Sequence, residues 1–317
     1  MALKPKLKIR IGSRPSRLAL AQASIVRDRI AAHVSADIEI VGIRTSGDKI
    51  TSASLADIGG KGLFIKELEQ ALADRSIDVA VHSMKDLPAV LPGDFRVAAV
   101  LERENTADIL VTRDGAALPA LPAGTRLGTS SSRRRLQALR MNRALEIVPL
   151  RGNVDTRLAR VADGSYGAII IAMAGLKRLG RVEDVKFVAL DARDFIPAGG
   201  QGALAIETLA GQRADELGVT LSAINDARAF YETAAERAFL AAIEASCTTP
   251  VGVRATIAGD TLAIATMLFS PDGARELSES LVDPLAADLA PAAAENSGKL
   301  LAEKMLARGA AALLGRE

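Results

Sequence analysis

Apolar positions along the chain alternate at period two over short runs and recur at helical spacing over longer ones, and the two kinds of segment take turns. Leu7 to Ile11 alternates as a short strand, and Arg17 to Ala32 sets Leu18, Ala21, Ile25 and Ile30 at helical spacing. Ile38 to Ile43 reads as a second strand, Phe64 to Ala73 as a helix with Phe64, Leu68 and Leu72 on one face, and Ile77 to Val81 as a third strand. Strands alternating with helices imply a mainly parallel sheet with covered faces.

The pattern resumes after residue 105. Strands are predicted at Ile109 to Thr112, Arg126 to Gly128, Glu146 to Leu150 and Ala168 to Ala172, with helices at Ser132 to Met141 and Val154 to Ala162. This describes a second α/β domain. The glycine-rich run Ala198 to Gly202 precedes an apolar strand, Ala203 to Ile206, which would return the chain to the first domain across a hinge. From about Ser222 the texture changes to a helix, Asp226 to Glu244, strands near Val253 to Ile257 and Leu262 to Phe269, and an alanine-rich helix, Pro291 to Leu314. The turn Ser270-Pro271-Asp272-Gly273 fits a hairpin, so the sheet of this third, α+β domain is expected to be antiparallel.

Length agrees with several domains, since 317 residues is long for one hydrophobic core. A content of 49% hydrophobic and 25% charged residues is that of a globular protein, and the longest apolar runs, such as Ala168 to Met173, are too short to span a bilayer. Met1 to Lys8 lacks the apolar core and cleavage site of a secretory signal, so a cytoplasmic setting is expected. Forty basic against 38 acidic residues leave a net charge of +2, and aromatics make up 3%, which is weak support for nucleic-acid binding.

The placement of charge is more informative than its sum. Gly128-Thr129-Ser130-Ser131-Ser132 follows a strand and leads into Arg133-Arg134-Arg135, three cations in the first helical turn. There they oppose the helix dipole, and the arrangement becomes favourable once carboxylates or phosphates bind. Leu150-Arg151-Gly152-Asn153-Val154-Asp155-Thr156-Arg157 makes a second arginine-flanked loop after the next strand, and Ser13-Arg14-Pro15-Ser16 a third anion-binding strand end. Such loops lie at the carboxyl ends of strands, where α/β sheets bind ligands. Arginine suits a polyanion because its fork pairs bidentately with carboxylate and keeps its charge.

Two further features carry candidate chemistry. His82-Ser83-Met84-Lys85-Asp86 follows an apolar strand, so Asp86 falls where a carboxylate can stabilise a cationic intermediate; a Lys-Asp surface pair is the plainer reading of the pentapeptide alone. His82 is a candidate general acid or metal ligand, although one other histidine, His33, and one cysteine are too few ligands for a metal cluster. Cys247 is the single thiol and forms no internal disulfide, so it is an inert core residue, a reactive group or an attachment point. Its neighbours Ala245-Ser246 and Thr248-Thr249-Pro250 describe a loop more than a packed element.

These pieces, in this order, closely resemble the porphobilinogen deaminase (hydroxymethylbilane synthase) family, nearly end to end. The resemblance rests on Gly59-Gly60-Lys61-Gly62-Leu63-Phe64, His82 to Asp86, Gly128 to Arg134, Leu150 to Asn153, Ala174 to Gly180, Gly200-Gln201-Gly202-Ala203, and Cys247 followed by Pro250. It implies two periplasmic-binding-protein-like α/β domains joined by crossover strands plus a small α+β C-terminal domain. The expected boundaries are 1–102 with 200–220, 103–199, and 221–317.

The resemblance further implies that Cys247 carries a dipyrromethane through a thioether, as a primer to which porphobilinogen units are added with loss of ammonia until hydroxymethylbilane is released. Asp86 would be catalytic, stabilising positive charge as ammonia leaves to give an azafulvene. Lys85, Thr129, Ser131, Arg133 and Arg134 would hold the primer's carboxylates, and Asp86 would bind the primer beneath its pyrrole nitrogens. Arg14, Ser16, Gln22, Arg151 and Arg157 would bind substrate or the growing chain, and Arg178 would guide elongation. Lys61 and Phe64 belong to a flap. No metal is implied, the expected form is a monomer, and the product would pass to uroporphyrinogen-III synthase.

The chain departs from the family pattern at Ala245-Ser246, where two glycines are common and where a left-handed backbone would be strained, and at Asp57, where a basic residue is frequent. The rival class is a non-catalytic ligand-binding module, which also uses paired α/β domains and requires neither Cys247 nor Asp86.

Overall fold

The computed structural model describes residues 7–49, 65–211, 214–284 and 291–316. The chain divides into two compact units, Met1–Arg103 with Ala203–Phe230, and Glu104–Gly202 with Tyr231–Glu317.

In the first unit β1 (Leu7–Ser13) leads into α1 (Arg17–His33), followed by β2 (Ala36–Gly42), the short α2 (Ser46–Lys49), α3 (Lys66–Ala73), β3 (Val79–Ser83) and β4 (Phe95–Val100). Ser16 caps α1 by accepting a 3.3 Å hydrogen bond from the Ala19 amide. Leu68 and Leu72 are buried as their spacing predicts, whereas Phe64 lies outside the described residues.

The second unit contains β5 (Asp108–Thr112), β6 (Arg126–Gly128), α4 (Ser132–Met141), β7 (Glu146–Val148), α5 (Val154–Ala162), β8 (Ala168–Ala172), α6 (Met173–Arg178) and β9 (Phe187–Ala189). The chain then re-enters the first unit as β10 (Leu204–Leu209) and α7 (Ala214–Ile224). After α8 (Ala227–Ala242) come β11 (Val251–Ala258), β12 (Thr261–Phe269), β13 (Glu276–Pro284), α9 (Pro291–Ala307) and α10 (Ala310–Leu313).

Two five-stranded sheets share one plan, with strand orders β2-β1-β3-β10-β4 and β7-β6-β8-β5-β9. In each, the strand in fourth place runs antiparallel to its neighbours. These are the crossover strands, since β5 follows the chain's exit from the first sheet and β10 its exit from the second. The expected return of Ala203 to Ile206 to the first sheet is therefore present, through pairs Leu204↔Ser83 to Glu207↔Ala80. Alternation along β8 sends Ile169 and Ile171 to one apolar cluster and Ala168 and Ile170 to another, so both faces of its sheet are covered.

The third sheet, β11-β12-β13, is an antiparallel meander. The Ser270 turn closes its second hairpin, with the Gly273 amide donating to the Ser270 carbonyl at 2.9 Å. Phe239, Val253, Leu262, Leu301 and Met305 share its core, each contributing roughly 1.5–3 kcal/mol of burial. The alanine-rich helix is broken where Gly309 takes φ +93°, leaving α9 and α10 as separate pieces. Its small residues permit close packing: a Cβ on Gly298 would stand 2.1 Å from the Ala235 carbonyl oxygen. Among the described residues, no helix is long and apolar enough to cross a membrane.

Candidate functional site

β3 is buried through Val79, Ala80 and Val81 and runs straight into a single 3-10 turn, Met84–Asp86. Met84 and Leu87 are buried on either side of the turn while Asp86 is exposed, so packing of the flanking apolar side chains turns the carboxylate outward. The Met84 amide donates to Ala203 of the crossover segment at 3.0 Å, which fixes the turn to the sheet. Asp86 has no hydrogen-bond partner among the described residues; Lys85 beside it is half-buried. Gln22, buried on α1, donates to the Ser83 hydroxyl at 2.8 Å and so supports the strand end that carries Lys85 and Asp86. His82 sits 2.9 Å from buried Glu207 on β10, and no group of three or more potential metal ligands occurs among the described residues.

Arg14 follows β1 and donates to Asp48 of α2 through both Nε, at 3.1 Å, and Nη2. The other Asp48 oxygen accepts from the Thr45 amide and hydroxyl at 3.1 and 2.8 Å. Burial would raise the Asp48 carboxyl, but the bonds from Arg14 and Thr45 outweigh it and hold the group below its ordinary value.

In the second unit, Ser131 caps α4, accepting from the Arg134 amide at 3.3 Å, and Thr129 accepts from the Ser131 amide at 3.2 Å. Ser130 stitches this loop to the end of the neighbouring strand, donating to the Leu150 carbonyl at 3.0 Å and accepting from its amide at 3.1 Å. Arg133 and Arg134 then turn inward. Both guanidinium groups reach Asp108 at the start of β5, at 2.7 and 2.6 Å, and all three side chains are buried. Sequence reasoning missed Asp108, although an acidic residue opening the apolar run Ile109-Leu110-Val111 is itself a signal.

Cys247 is exposed, in a polar turn after α8. The Ser246 amide donates to the Thr249 hydroxyl at 2.9 Å, and the Thr249 amide to the Ser246 carbonyl at 3.1 Å. The left-handed residue here is Glu244, at φ 47°, so the strain expected at Ala245 or Ser246 falls one position earlier. Ser132 Oγ, in the first turn of α4, donates to the Thr248 carbonyl at 2.9 Å. Residues more than a hundred positions apart in sequence, the lone thiol's turn and the arginine-bearing helix, are thereby tied together. Arg135 donates to Pro271 at 2.8 Å and Arg140 pairs with Glu276 at 3.1 Å, which fastens the rest of α4 to the third sheet.

Of the remaining predicted residues, Arg151 is half-buried without a hydrogen-bond or ion-pair partner among the described residues. Arg157 donates to the Gly152 carbonyl at 2.8 Å. Arg178 donates to the Gly202 carbonyl at 2.6 Å, and burial, opposed by the charge of Glu104, lowers its pKa to about 10. Lys61, Phe64 and Asp57 lie outside the described residues. An exposed thiol tied to the end of an arginine-headed helix, with Arg151 uncommitted, is a donor set that fits a thiol-linked polycarboxylate.

The family model described as porphobilinogen deaminase, dipyromethane cofactor binding domain, matches residues 9–216, and that described as porphobilinogen deaminase, C-terminal domain, matches residues 230–307. A relative from Burkholderia thailandensis named porphobilinogen deaminase is 44% identical over 305 residues, 96% of this chain and 91% of its own. One of the same name from Syntrophotalea carbinolica is 42% identical over 308 residues, 96% of this chain and 95% of its own. Among solved structures, the ligand-binding component of an ABC-type import system from Staphylococcus aureus is similar at 13% identity with TM-score 0.40, over 74% of this chain and 73% of that one. The chain belongs to the porphobilinogen deaminase family.

Proposed function

We propose that this chain condenses four porphobilinogen molecules, with loss of ammonia, into the linear tetrapyrrole hydroxymethylbilane, from a dipyrromethane primer held by a thioether to Cys247. The observation that carries this reading is the bond from Ser132 to Thr248, which joins the exposed thiol's turn to the helix headed by Arg133 and Arg134. When bound, the dipyrromethane supplies the terminal pyrrole carbon to which each new unit is joined.

The residues divide the remaining work. Asp86, outward-facing and unpartnered among the described residues, is the catalytic carboxylate: it stabilises the positive charge that develops on the pyrrole as the amine departs. Lys85, Thr129, Ser131, Arg133 and Arg134 hold the primer's acidic arms. Arg14, Ser16, Gln22, Arg151 and Arg157 receive substrate or the elongating chain, and Arg178 guides it. We take the domains as 1–102 with 200–220, 103–199, and 221–317, and the protein as a cytoplasmic monomer whose product passes to uroporphyrinogen-III synthase.

Intact-mass measurement tests the reading. The purified chain is expected to carry an increment of two pyrrole units, absent from Cys247→Ser, and to release ammonia from porphobilinogen. Asp86→Ala is expected to keep the fold and the increment but lose most turnover. An unmodified, inactive chain would point instead to a ligand-binding module.

A further inference from the structure

Three buried charges in the second unit do not balance. Arg133 and Arg134 are 5% and 8% exposed, and Asp108, between them, is 0% exposed. Asp108 Oδ2 accepts from Arg133 Nη1 at 2.7 Å. Its Oδ1 accepts from Arg134 Nε and Nη2 at 3.0 and 2.6 Å, and from Gln201 Nε2 at 3.1 Å. Backbone carbonyls complete the arrangement, with Arg133 Nη1 donating to Ile196 at 2.9 Å and Arg134 Nη1 to Ile170 at 3.0 Å. Burial lowers the Arg133 pKa, Asp108 acts against this, and Arg134 adds to it.

Two cations on one carboxylate leave a net positive charge away from water, at the end of a helix whose dipole has the same sign. A second anion relieves both costs. The two arginines are also held unequally. Every nitrogen of the Arg134 guanidinium donates within the protein, whereas Nε and Nη2 of Arg133 have no hydrogen-bond partner among the described residues. That open edge has the fork geometry that a carboxylate accepts bidentately.

We propose that Asp108 is a positioning residue for ligand binding: it fixes both guanidinium groups in one arrangement and leaves the Nε–Nη2 edge of Arg133 to receive a carboxylate of the primer. This rests on the function proposed above. Asp108 touches no ligand; it acts through the arginines, and Gln201 holds it in turn. The adjacency of Arg133 and Arg134 in sequence is thereby explained, since a single carboxylate cancels half of their charge and orders both forks before any ligand arrives.

The test reads primer occupancy among folded molecules, a quantity that a purely structural role would not change. Asp108→Asn, Asp108→Glu and the parent chain are purified and compared by intact mass, far-ultraviolet dichroism and thermal melting. Asp108→Asn is expected to fold and to carry the two-pyrrole increment on at least tenfold fewer molecules. Asp108→Glu keeps the charge but displaces it by one methylene, and is expected to be occupied several-fold less than the parent.

Full occupancy in either folded variant overturns the proposal. Loss of cooperative folding in both also overturns it, because Asp108 would then be structural. If Asp108→Asn alone fails to fold, the occupancy of Asp108→Glu decides. A parent chain without any increment sinks the functional reading itself, and this proposal with it, whereas a loaded parent and an equally loaded variant sink the proposal alone.

Discussion

His82 Nε2 lies 2.9 Å from Glu207 Oε2, with both side chains buried, in a diagonal cross-strand pair set by the register Ala205↔His82 between β3 and β10. The other Glu207 oxygen, Oε1, has no partner among the described residues, so the imidazole is its chief compensation. Removing one member of such a pair strands the other. His82→Leu is expected to destabilise the protein by about 3–5 kcal/mol in urea melts, and His82→Leu with Glu207→Leu by clearly less than that single change. A double variant at least as unstable as His82→Leu would show that the pair itself, not the stranded carboxylate, sets the cost.

The bond from Ser132 to Thr248 gives a milder expectation. Ser132→Ala removes one partly exposed hydrogen bond, worth about 1 kcal/mol, while Arg135, Arg140 and the contact of Leu136 with Met267 and Phe269 still hold α4 to the third sheet. The melting temperature should fall by a few degrees at most. If the tie aligns the thiol's turn with the arginine helix, primer occupancy should fall further than stability does, and intact mass measured beside the melt separates the two effects.

Asp48 ties stability to acid pH. Its folded carboxyl titrates below its unfolded value, so between the two values the unfolded chain binds more protons and stability rises with pH. The contribution is complete above the unfolded value of about 3.9 and is lost as pH falls through the lower, folded value. Asp48→Asn should therefore flatten the acid limb of unfolding free energy against pH. It also releases Arg14 from its ion pair, so binding of porphobilinogen should change in the same variant.

Much of this was legible in the sequence because period and polarity speak for themselves in both α/β sheets. Ile169 and Ile171 face one way and Ala168 and Ile170 the other, and Ser16, Ser131 and Asn153 cap the helices they precede. Other elements were silent for physical reasons. β9 has three residues, too few to show alternation, and in β4 the run Val97-Ala98-Ala99-Val100 mimics any buried segment. Gly309 ended a helix whose alanines gave no warning.

At the candidate site, the glycines, serines and arginines of the strand-end loops were visible in the sequence, but the partners that orient them were not. Asp48, Asp108 and Glu207 each sit far along the chain from the groups they hold, and only the fold brings each pair together. Gln22 shows a further limit, because a polar side chain expected to meet substrate also supports Ser83 at the start of the turn that carries Asp86.

Gly202 offers the sharpest test of backbone geometry next to the crossover strand. It holds φ +90°, its carbonyl accepts from Arg178 Nη2 at 2.6 Å and from the Glu104 amide at 3.1 Å, and an added Cβ would stand 2.2 Å from the Glu104 carbonyl oxygen. That neighbour is backbone and cannot swing aside, while the left-handed conformation costs a further increment for any residue with a Cβ. Gly202→Ala is expected to lower stability by about 2–4 kcal/mol, read as a shifted urea midpoint at unchanged slope. Because the Arg178 guanidinium is anchored on this carbonyl, the variant should also lose turnover when assayed well below its melting temperature. Wild-type stability in Gly202→Ala would mean that the segment relaxes freely, and the tight approach to Glu104 would then have no part in holding Arg178.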